Sequence, residues 1–311
     1  MPSSELTIRV RLTEQQIASE FQAALAGRYL DEKFFYWLPD SVRAWVQLCS
    51  STEYRNANRA IQALEAALPW LLKNWKHAGR WCGLGCGEGS KDVVALSKLA
   101  DAGARLSYVG VDYSQPLLEL ALGAARPFAS EVEGCKLDIF DDSHLSTLRP
   151  EGPPCIFATL GNTLGAFGPH DFPRRLRSLM RPQDRALYDG EVFAGESTLR
   201  GYDNPQNRRF AWGPLTALGI TENDGDLTFE ARDRNNGLYE VAKYFVARRP
   251  FELRFGGQSF PLREGEKIRM SSSIKYARDA FFECLAAGGF QLEHHAASGD
   301  GNFLLAACAP A

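Results

Sequence analysis

The sequence predicts an α/β fold: a mostly parallel sheet with helices on both faces, joined to a second lobe of α+β character. Three observations carry that expectation. Between about residues 79 and 190, short apolar runs alternate with amphipathic helical patterns. The first such unit carries glycine at alternate positions, Gly83, Gly85, Gly87 and Gly89, between an apparent strand and a helix. From about 191 the alternation stops, and period-2 stretches such as Leu227-Thr-Phe-Glu-Ala-Arg replace it. The expected divisions are 1–66, a helical N-terminal part of the second lobe; 67–190 with 274–311, the sheet domain; and 191–273, a β-rich insertion completing the second lobe.

The elements follow in order. Residues 5–80 read mostly as helices. Thr13 is placed to cap the amphipathic run after it. An aromatic segment, Tyr29, Phe34, Phe35, Tyr36 and Trp37, comes next, and such clusters are usually core. The stretches 41–49 and 57–72 read as helices, the second with Ile61, Leu64, Leu68 and Leu72 on one face. Residues 80–84 form the expected first strand of the sheet and 89–99 its helix. The second strand, 106–112, ends on Asp112, and 115–126 is helical. The third strand, 134–140, carries Asp138, Ile139 and Phe140 at its end. An apolar fourth strand begins at Cys155 and leads into Gly161-Asn-Thr-Leu-Gly165. A helix at 172–180 and a strand from Arg185 complete the alternation. After the insertion, a helix at 277–287 stops at Gly288-Gly289, and 291–296 with 303–307 read as a closing antiparallel pair.

Ligands of such sheets sit beyond the carboxyl ends of the strands. Alternating glycines let the backbone turn sharply and leave bare amides at a helix N-terminus. The loop fails the dinucleotide fingerprint, because Glu88 and Ser90 stand five residues after Gly83 and Gly85. It fails the Walker A pattern too, because Ser90 separates Gly89 from Lys91. What remains is a Gly-x-Gly-x-Gly loop of the kind that holds S-adenosylmethionine (SAM), although a tight turn alone also explains it. Asp112 stands where a ribose-binding acid belongs, with a helix-capping role as the alternative. Asp138, Ile139 and Phe140 are placed to hold an adenine by edge and face.

Composition narrows the field. With 35 basic and 38 acidic residues among 311, no nucleic acid or anionic membrane partner is expected. No apolar run reaches the roughly 18 residues of a membrane span, and no basic, apolar leader is visible. Seven cysteines, several in apolar surroundings, read as reduced thiols in the cytoplasm. Cys82 and Cys86 lack a second Cys or His pair nearby, so no metal is expected. The expected partner is a small molecule and the expected state a monomer.

With these landmarks the chain resembles the SAM-dependent histidine-specific methyltransferases. That family includes the ergothioneine-pathway enzyme and fungal relatives acting on prenylated tryptophan. The resemblance runs from about Tyr29 to Cys308. Lys33-Phe-Phe-Tyr36 resembles an aromatic entry motif, and Thr52-Glu-Tyr54-Arg55 a Pro-Glu-Tyr-Tyr stretch. The glycine loop and Tyr108-Val-Gly-Val-Asp112-Tyr-Ser resemble the SAM site. Leu160-Gly-Asn-Thr-Leu-Gly165 resembles Leu-Gly-Gly-Thr-Ile-Gly, and Gly201-Tyr202-Asp203-Asn resembles Ala-Tyr-Asp-Asp. Gly265-Glu-Lys-Ile-Arg-Met-Ser-Ser-Ser273-Ile-Lys-Tyr resembles a Gly-Glu-x-Ile-x-Thr-Glu-x-Ser-x-Lys-Phe signature. The resemblance implies a Rossmann-like class I methyltransferase sheet with a second, substrate-side α+β lobe. It implies cofactor contacts from Gly85, Cys86, Gly87, Lys91, Asp112, Tyr113, Asp138, Ile139, Phe140, Leu160 and Gly161. It implies substrate contacts from Tyr36, Tyr54, Arg55, Asn162, Thr163, Ala166, Tyr202, Ser271 and Ser273, with Tyr36 and Tyr202 as the catalytic candidates.

The departures lie on the substrate side. The family's asparagine that grips the amino-acid head falls on Ala166, and its imidazole-holding glutamate on Ser271. The second tyrosine of Tyr-Tyr falls on Arg55. A site that loses a charged hydrogen-bond partner loses orders of magnitude for the ligand it held. The expectation is therefore methyl transfer to the nitrogen of a small amine or amino acid other than histidine. Histidine methylation with a rearranged pocket, and a SAM-binding protein without turnover, are the competing readings. A nicotinamide dehydrogenase is a weaker fourth, opposed by the failed fingerprint.

Overall fold

The computed structural model describes residues 6–51, 54–149 and 151–311, and divides them into two compact units. The chain begins with strand β1 (Thr7–Val10) and helix α1 (Glu14–Ala26). Thr13 caps α1 in a reciprocal box: its hydroxyl accepts the Gln16 N–H, and the Gln16 side chain accepts the Thr13 N–H. A two-residue strand β2 (Tyr29–Leu30), a 3-10 turn at Glu32–Tyr36, and helices α2 (Pro39–Cys49) and α3 (Arg55–Asn74) follow. Strand–helix alternation then runs through β3 (Arg80–Leu84), α4 (Ser90–Asp101), β4 (Ser107–Asp112) and α5 (Gln115–Ala125). It continues through β5 (Val132–Lys136), α6 (Asp142–Ser146), β6 (Cys155–Thr159), α7 (Asp171–Leu179) and β7 (Arg185–Glu191).

After β7 come two helices, α8 (Glu196–Tyr202) and α9 (Pro205–Thr216). Five strands follow: β8 (Gly225–Asp233), β9 (Leu238–Ala247), β10 (Phe251–Phe255), β11 (Gln258–Leu262) and β12 (Lys267–Tyr276). Helix α10 (Arg278–Ala287) and strands β13 (Phe290–Ala297) and β14 (Phe303–Pro310) close the chain.

The first unit comprises residues 1–11, 56–193 and 274–311. Its eight-stranded sheet has the order β1-β5-β4-β3-β6-β7-β14-β13. Strands β1 and β3 to β7 are parallel, whereas β14 runs antiparallel to both β7 and β13. All five residues of β6 are buried, as a strand covered on both faces requires. Leu64, Leu68 and Leu71 of α3 share one core with Leu96, Leu99, Leu118 and Leu122. Each such side chain contributes about 1.5–3 kcal/mol when fully buried. The sheet order reverses between β3 and β6, which places the switch point at the end of β3, on the glycine loop.

The second unit comprises residues 12–55 and 194–273. It contains a four-stranded sheet of order β2-β12-β9-β8 and the hairpin β10-β11. Helix α9 packs on α2, and a Cβ at Gly213 would lie 2.4 Å from the Ser41 hydroxyl, so glycine sets that approach.

Several expectations change. Strand β1 precedes β3 and adds a parallel edge through β5, in a segment read as helical. Four residues of mixed polarity carry too little period-2 signal to show this. The 191–273 segment opens with helices α8 and α9 rather than strands, each begun by turn residues that also fit a loop. Unit boundaries fall at 11/12, 55/56, 193/194 and 273/274, not at 66/67 or 190/191. Strand β5 ends at Lys136, so Asp138, Ile139 and Phe140 belong to the loop after it.

Candidate active site

In the first unit, the carboxyl ends of β3 to β7 gather most of the expected cofactor residues. Gly85, Gly87 and Gly89 have φ of 65°, 56° and 82°, a region costly for any residue with a Cβ. A Cβ at Gly85 would also lie 2.8 Å from Thr163 Cγ2 and 3.7 Å from Ile139 Cδ1. The glycine loop, the loop after β5 and the loop after β6 thus converge at one point. Lys91, in the first turn of α4, lies across Gly161: a Cβ there would meet Lys91 Cε at 2.8 Å.

Asp112 ends β4 and faces the glycine loop. Its carboxylate accepts the Gly87 N–H and the Ser114 N–H, each at 2.9 Å. Burial pushes its carboxyl up to about 6, against the pull of these backbone donors. Tyr113 beside it is buried. Asp138 is buried and accepts the Phe140 N–H at 2.8 Å, which fixes the loop carrying Ile139 and Phe140. The Phe140 ring stacks on Phe167 at 4.2 Å, and Arg175 donates to the Phe140 carbonyl at 2.9 Å. Cys86 is buried, and its thiol is pushed well above the usual range by burial, so it is no nucleophile. Leu160 is buried at the end of β6.

The loop after β6 is held by β7. Asp189 accepts the Gly161 N–H at 2.7 Å and the Asn162 N–H at 2.6 Å. Both residues have positive φ, 81° and 62°. The Asn162 side chain accepts the Glu191 N–H at 3.1 Å. Glu191 in turn accepts from Asn56 at 2.8 Å and pairs with Lys275 at 3.0 Å. The Asn162 carbonyl oxygen of the side chain is therefore committed within the loop. Thr163 and Ala166 begin and end the adjoining 3-10 turn.

In the second unit, Tyr36 ends the 3-10 turn and meets Trp45 edge-on at 5.1 Å and Phe210 at 5.4 Å. Tyr54 meets Trp45 at 5.8 Å. Tyr36, Trp45 and Tyr54 are each half-buried. The Tyr36 hydroxyl donates to Glu32 at 3.3 Å. Ser271 is fully buried with φ 67°, and its hydroxyl donates to the same carboxylate. Lys243 lies 3.7 Å from Glu32 and 4.5 Å from the Phe35 ring centroid. Ser273 follows on β12. Tyr202 is half-buried at the last turn of α8. Arg55 is exposed at the start of α3, whereas Thr52 and Glu53 of the same motif lie outside the described residues.

Residues 13–310 match the family described as histidine-specific methyltransferase, SAM-dependent. The chain belongs to that family. Two fungal proteins are similar along most of its length. N-methyltransferase imqF of Aspergillus flavus is 25% identical, covering 92% of this chain and 83% of its own. N-methyltransferase fsqC of Aspergillus fumigatus is 23% identical, covering 81% of this chain and 72% of its own. Among solved structures, the CcbJ methyltransferase of Streptomyces caelestis aligns with TM-score 0.41 and 15% identity, over 79% of this chain and 90% of its own.

The chain is thus a SAM-dependent methyltransferase, and its sheet is of the Rossmann-like class I kind. The residues of the first unit fit the cofactor. The glycine loop leaves backbone without side chains at the N-terminus of α4, opposite the Asp112 carboxylate, with apolar Ile139 and Phe140 beside it.

The sequence reading missed three carboxylates of this methyltransferase. Asp92 stands in the first turn of α4, where an acid is ordinary. It is buried under the loop, accepting from Trp81 Nε1 and the Tyr108 hydroxyl at 2.8 Å each. Its carboxylate fills the space a side chain at Gly83 would need, 2.3 Å from that Cβ, and burial raises it to about 6. Asp189 was visible as an acid directly after the apolar run Ala186-Leu187-Tyr188. Glu32 gave no signal beyond its place before Lys33-Phe-Phe-Tyr36. The paired histidines 294 and 295 turn to opposite faces, against Trp70 and Phe282, away from these residues. Among the described residues, no cluster of metal-ligating groups occurs and no helix is long and apolar enough to cross a membrane.

Proposed function

We propose that this methyltransferase acts on the nitrogen of a small amine or amino acid other than histidine, in cytoplasmic biosynthesis. The observation that carries the reading is the substitution at position 271. A glutamate there would present its own carboxylate, whereas Ser271 offers a hydroxyl already donated to Glu32. Ala166, half-buried at the end of its 3-10 turn, has no group for an amino-acid head. Both fungal relatives are named N-methyltransferases, which favours nitrogen as the acceptor.

In this reading Asp112 accepts the ribose hydroxyls, the amides of 85–89 approach the amino-acid part of the cofactor, and Ile139 and Phe140 flank the adenine beside Asp138. Lys91, Leu160 and Gly161 complete that face. SAM supplies a methyl group made electrophilic by its sulfonium. The acceptor nitrogen must be neutral, so it first loses a proton to solvent. With SAM bound, the neutral nitrogen would take the methyl group and the S–C electron pair would remain on the departing sulfur. The rings of Tyr36, Trp45 and Tyr54 offer an apolar face to the acceptor's body. Within the second unit Tyr36 and Tyr202 orient the acceptor and Tyr54, Arg55 and Ser273 shape its surroundings, and alignment contributes up to about 7–11 kcal/mol. The test is methyl transfer to L-histidine, L-tryptophan, L-arginine and tyramine under one set of conditions. A highest specificity constant for histidine overturns the reading.

A further inference from the structure

The second unit contains a carboxylate held in an unusual way. Glu32 lies on a 3-10 turn near the start of the chain, and Ser271 lies on β12, 239 residues later. Ser271 is the one non-glycine residue with positive φ inside a regular strand among the described residues. It is fully buried, so the surrounding structure sustains a backbone conformation that residues with a Cβ disfavour. That conformation turns its hydroxyl onto Glu32 Oε2. The Tyr36 hydroxyl reaches Oε1, and Lys243, itself buried, stands 3.7 Å from Oε2. Three groups from three elements thus fix one carboxylate.

The Glu32 carboxylate is not consumed by them. Two oxygens offer about four acceptor positions, and the side chain remains 21% exposed. Its partners Tyr36 and Lys243 meet Phe210 and Phe35, whose cluster continues through Trp45 to Tyr54. A fixed carboxylate with a free acceptor position next to half-exposed rings is suited to an amine carried on a flat, apolar body.

We propose that Glu32 is the specificity-determining carboxylate for the acceptor: it receives the N–H of an arylalkylamine or aromatic amino acid, whose ring packs on Tyr36 and Trp45. Ser271 is a positioning residue that acts through Glu32. The assignment rests on the amine-acceptor reading above and names the substrate class within it.

The experiment compares wild type with Glu32→Gln, Ser271→Ala and the double variant Glu32→Gln/Ser271→Glu. Methyl transfer is measured with tyramine, L-tyrosine, L-tryptophan and L-histidine, and S-adenosylhomocysteine (SAH) affinity with each variant. For the best acceptor, Glu32→Gln should raise KM about tenfold or more with a smaller change in kcat, because a charge-assisted bond becomes a neutral one. Ser271→Ala should raise KM about threefold. The double variant should recover part of the Glu32→Gln loss. SAH affinity within about twofold of wild type shows that the variants are folded. A Glu32→Gln enzyme with unchanged KM for a methylated probe overturns this assignment alone. If that variant fails to fold, Ser271→Ala decides, and an unchanged KM overturns the assignment. A wild-type enzyme that binds SAH but methylates none of the four overturns this assignment and the amine-acceptor reading together.

Discussion

Asp112 and Asp189 of the sheet unit are held by backbone donors, and Glu32 of the second unit is held by side chains. Asp112 accepts two backbone N–H groups and Asp189 two more, all at strand ends. Glu32 is fixed by the hydroxyls of Ser271 and Tyr36 and by the Lys243 ammonium. Backbone donors are present whatever the sequence, so an acid there is tied to the turn it stabilises. Side-chain donors can be exchanged singly, so a carboxylate there can change position while the fold stays. By this comparison a side-chain-held carboxylate is the one that can differ between related chains while the fold stays.

The largest expected effect tests the backbone-held side. Asp112→Ala removes the proposed ribose acceptor and leaves the Gly87 and Ser114 amides without their partner. Hydrogen bonds to a charged group contribute about 1.5–3 kcal/mol each, so SAH affinity should fall on the order of a hundredfold or more by calorimetry. Unchanged affinity would remove Asp112 from the cofactor site. The next effect separates fold from ligand. Asp189→Ala leaves the Gly161 and Asn162 amides unpaired, which should cost about 2–4 kcal/mol in urea unfolding. SAH affinity should fall with it, because Gly161 and Leu160 lie on that loop. A variant as stable as wild type would show that the β6 loop does not depend on Asp189.

The side-chain-held region predicts a more moderate effect, discrimination among acceptors. Histidine should have a specificity constant about ten- to a hundredfold below that of the best amine in the four-acceptor assay, the value of one charge-assisted bond. Histidine at the top would mean that the carboxylate on Glu32 serves the imidazole after all. In that case the two regions would differ in construction but not in outcome.

How much of this was legible follows from the same distinction. The glycine loop, Asp112 and the strand–helix alternation are local in sequence, and composition with spacing was enough to place them. The strand of the sheet unit that went unread is its edge: β1 is four residues long and its partner β5 lies more than 120 residues away. Asp92 was in view but its work was not, since the space it fills exists because position 83 is glycine. Glu32 and Ser271 were illegible as a pair. Nothing in a chain marks two residues 239 apart as neighbours, and the positive φ at Ser271 breaks the alternation by which β12 would have been read. Residues 196–216 were misread because Gly195, Asn204 and Pro205 begin helices there, whereas the same residue types elsewhere in the segment mark turns between strands.

The smallest effect concerns pH, and it gives opposite signs for stability and for binding. Asp92, Asp112 and Asp189 are raised by burial to about 6, above the 3.8 expected in the unfolded chain. A folded state that binds protons more tightly gains stability as pH falls, so between about 6 and 4 these three acids favour folding. Above pH 6 that contribution is lost, because the acids are then ionised in both states and burial of the charge is not compensated. Cofactor binding should move the other way. An ionised Asp112 is a stronger acceptor for hydroxyl groups than a neutral one, and the nearby Glu88 and Asp112's backbone donors are the other groups that set its charge. SAH affinity should therefore be flat above pH 7 and fall up to about tenfold per pH unit below 6, while the apo protein's urea midpoint rises between pH 6.5 and 5. The window must stop near pH 4, because Asp300 is held well below the usual carboxylate range by hydrogen bonds from Ser298, Asn302 and Arg59, and its protonation at lower pH destabilises the fold. Parallel decline of affinity and stability from pH 7 to 5 would show that burial does not govern these acids. It would also remove the distinction between carboxylates tied to the fold and the one set by side chains.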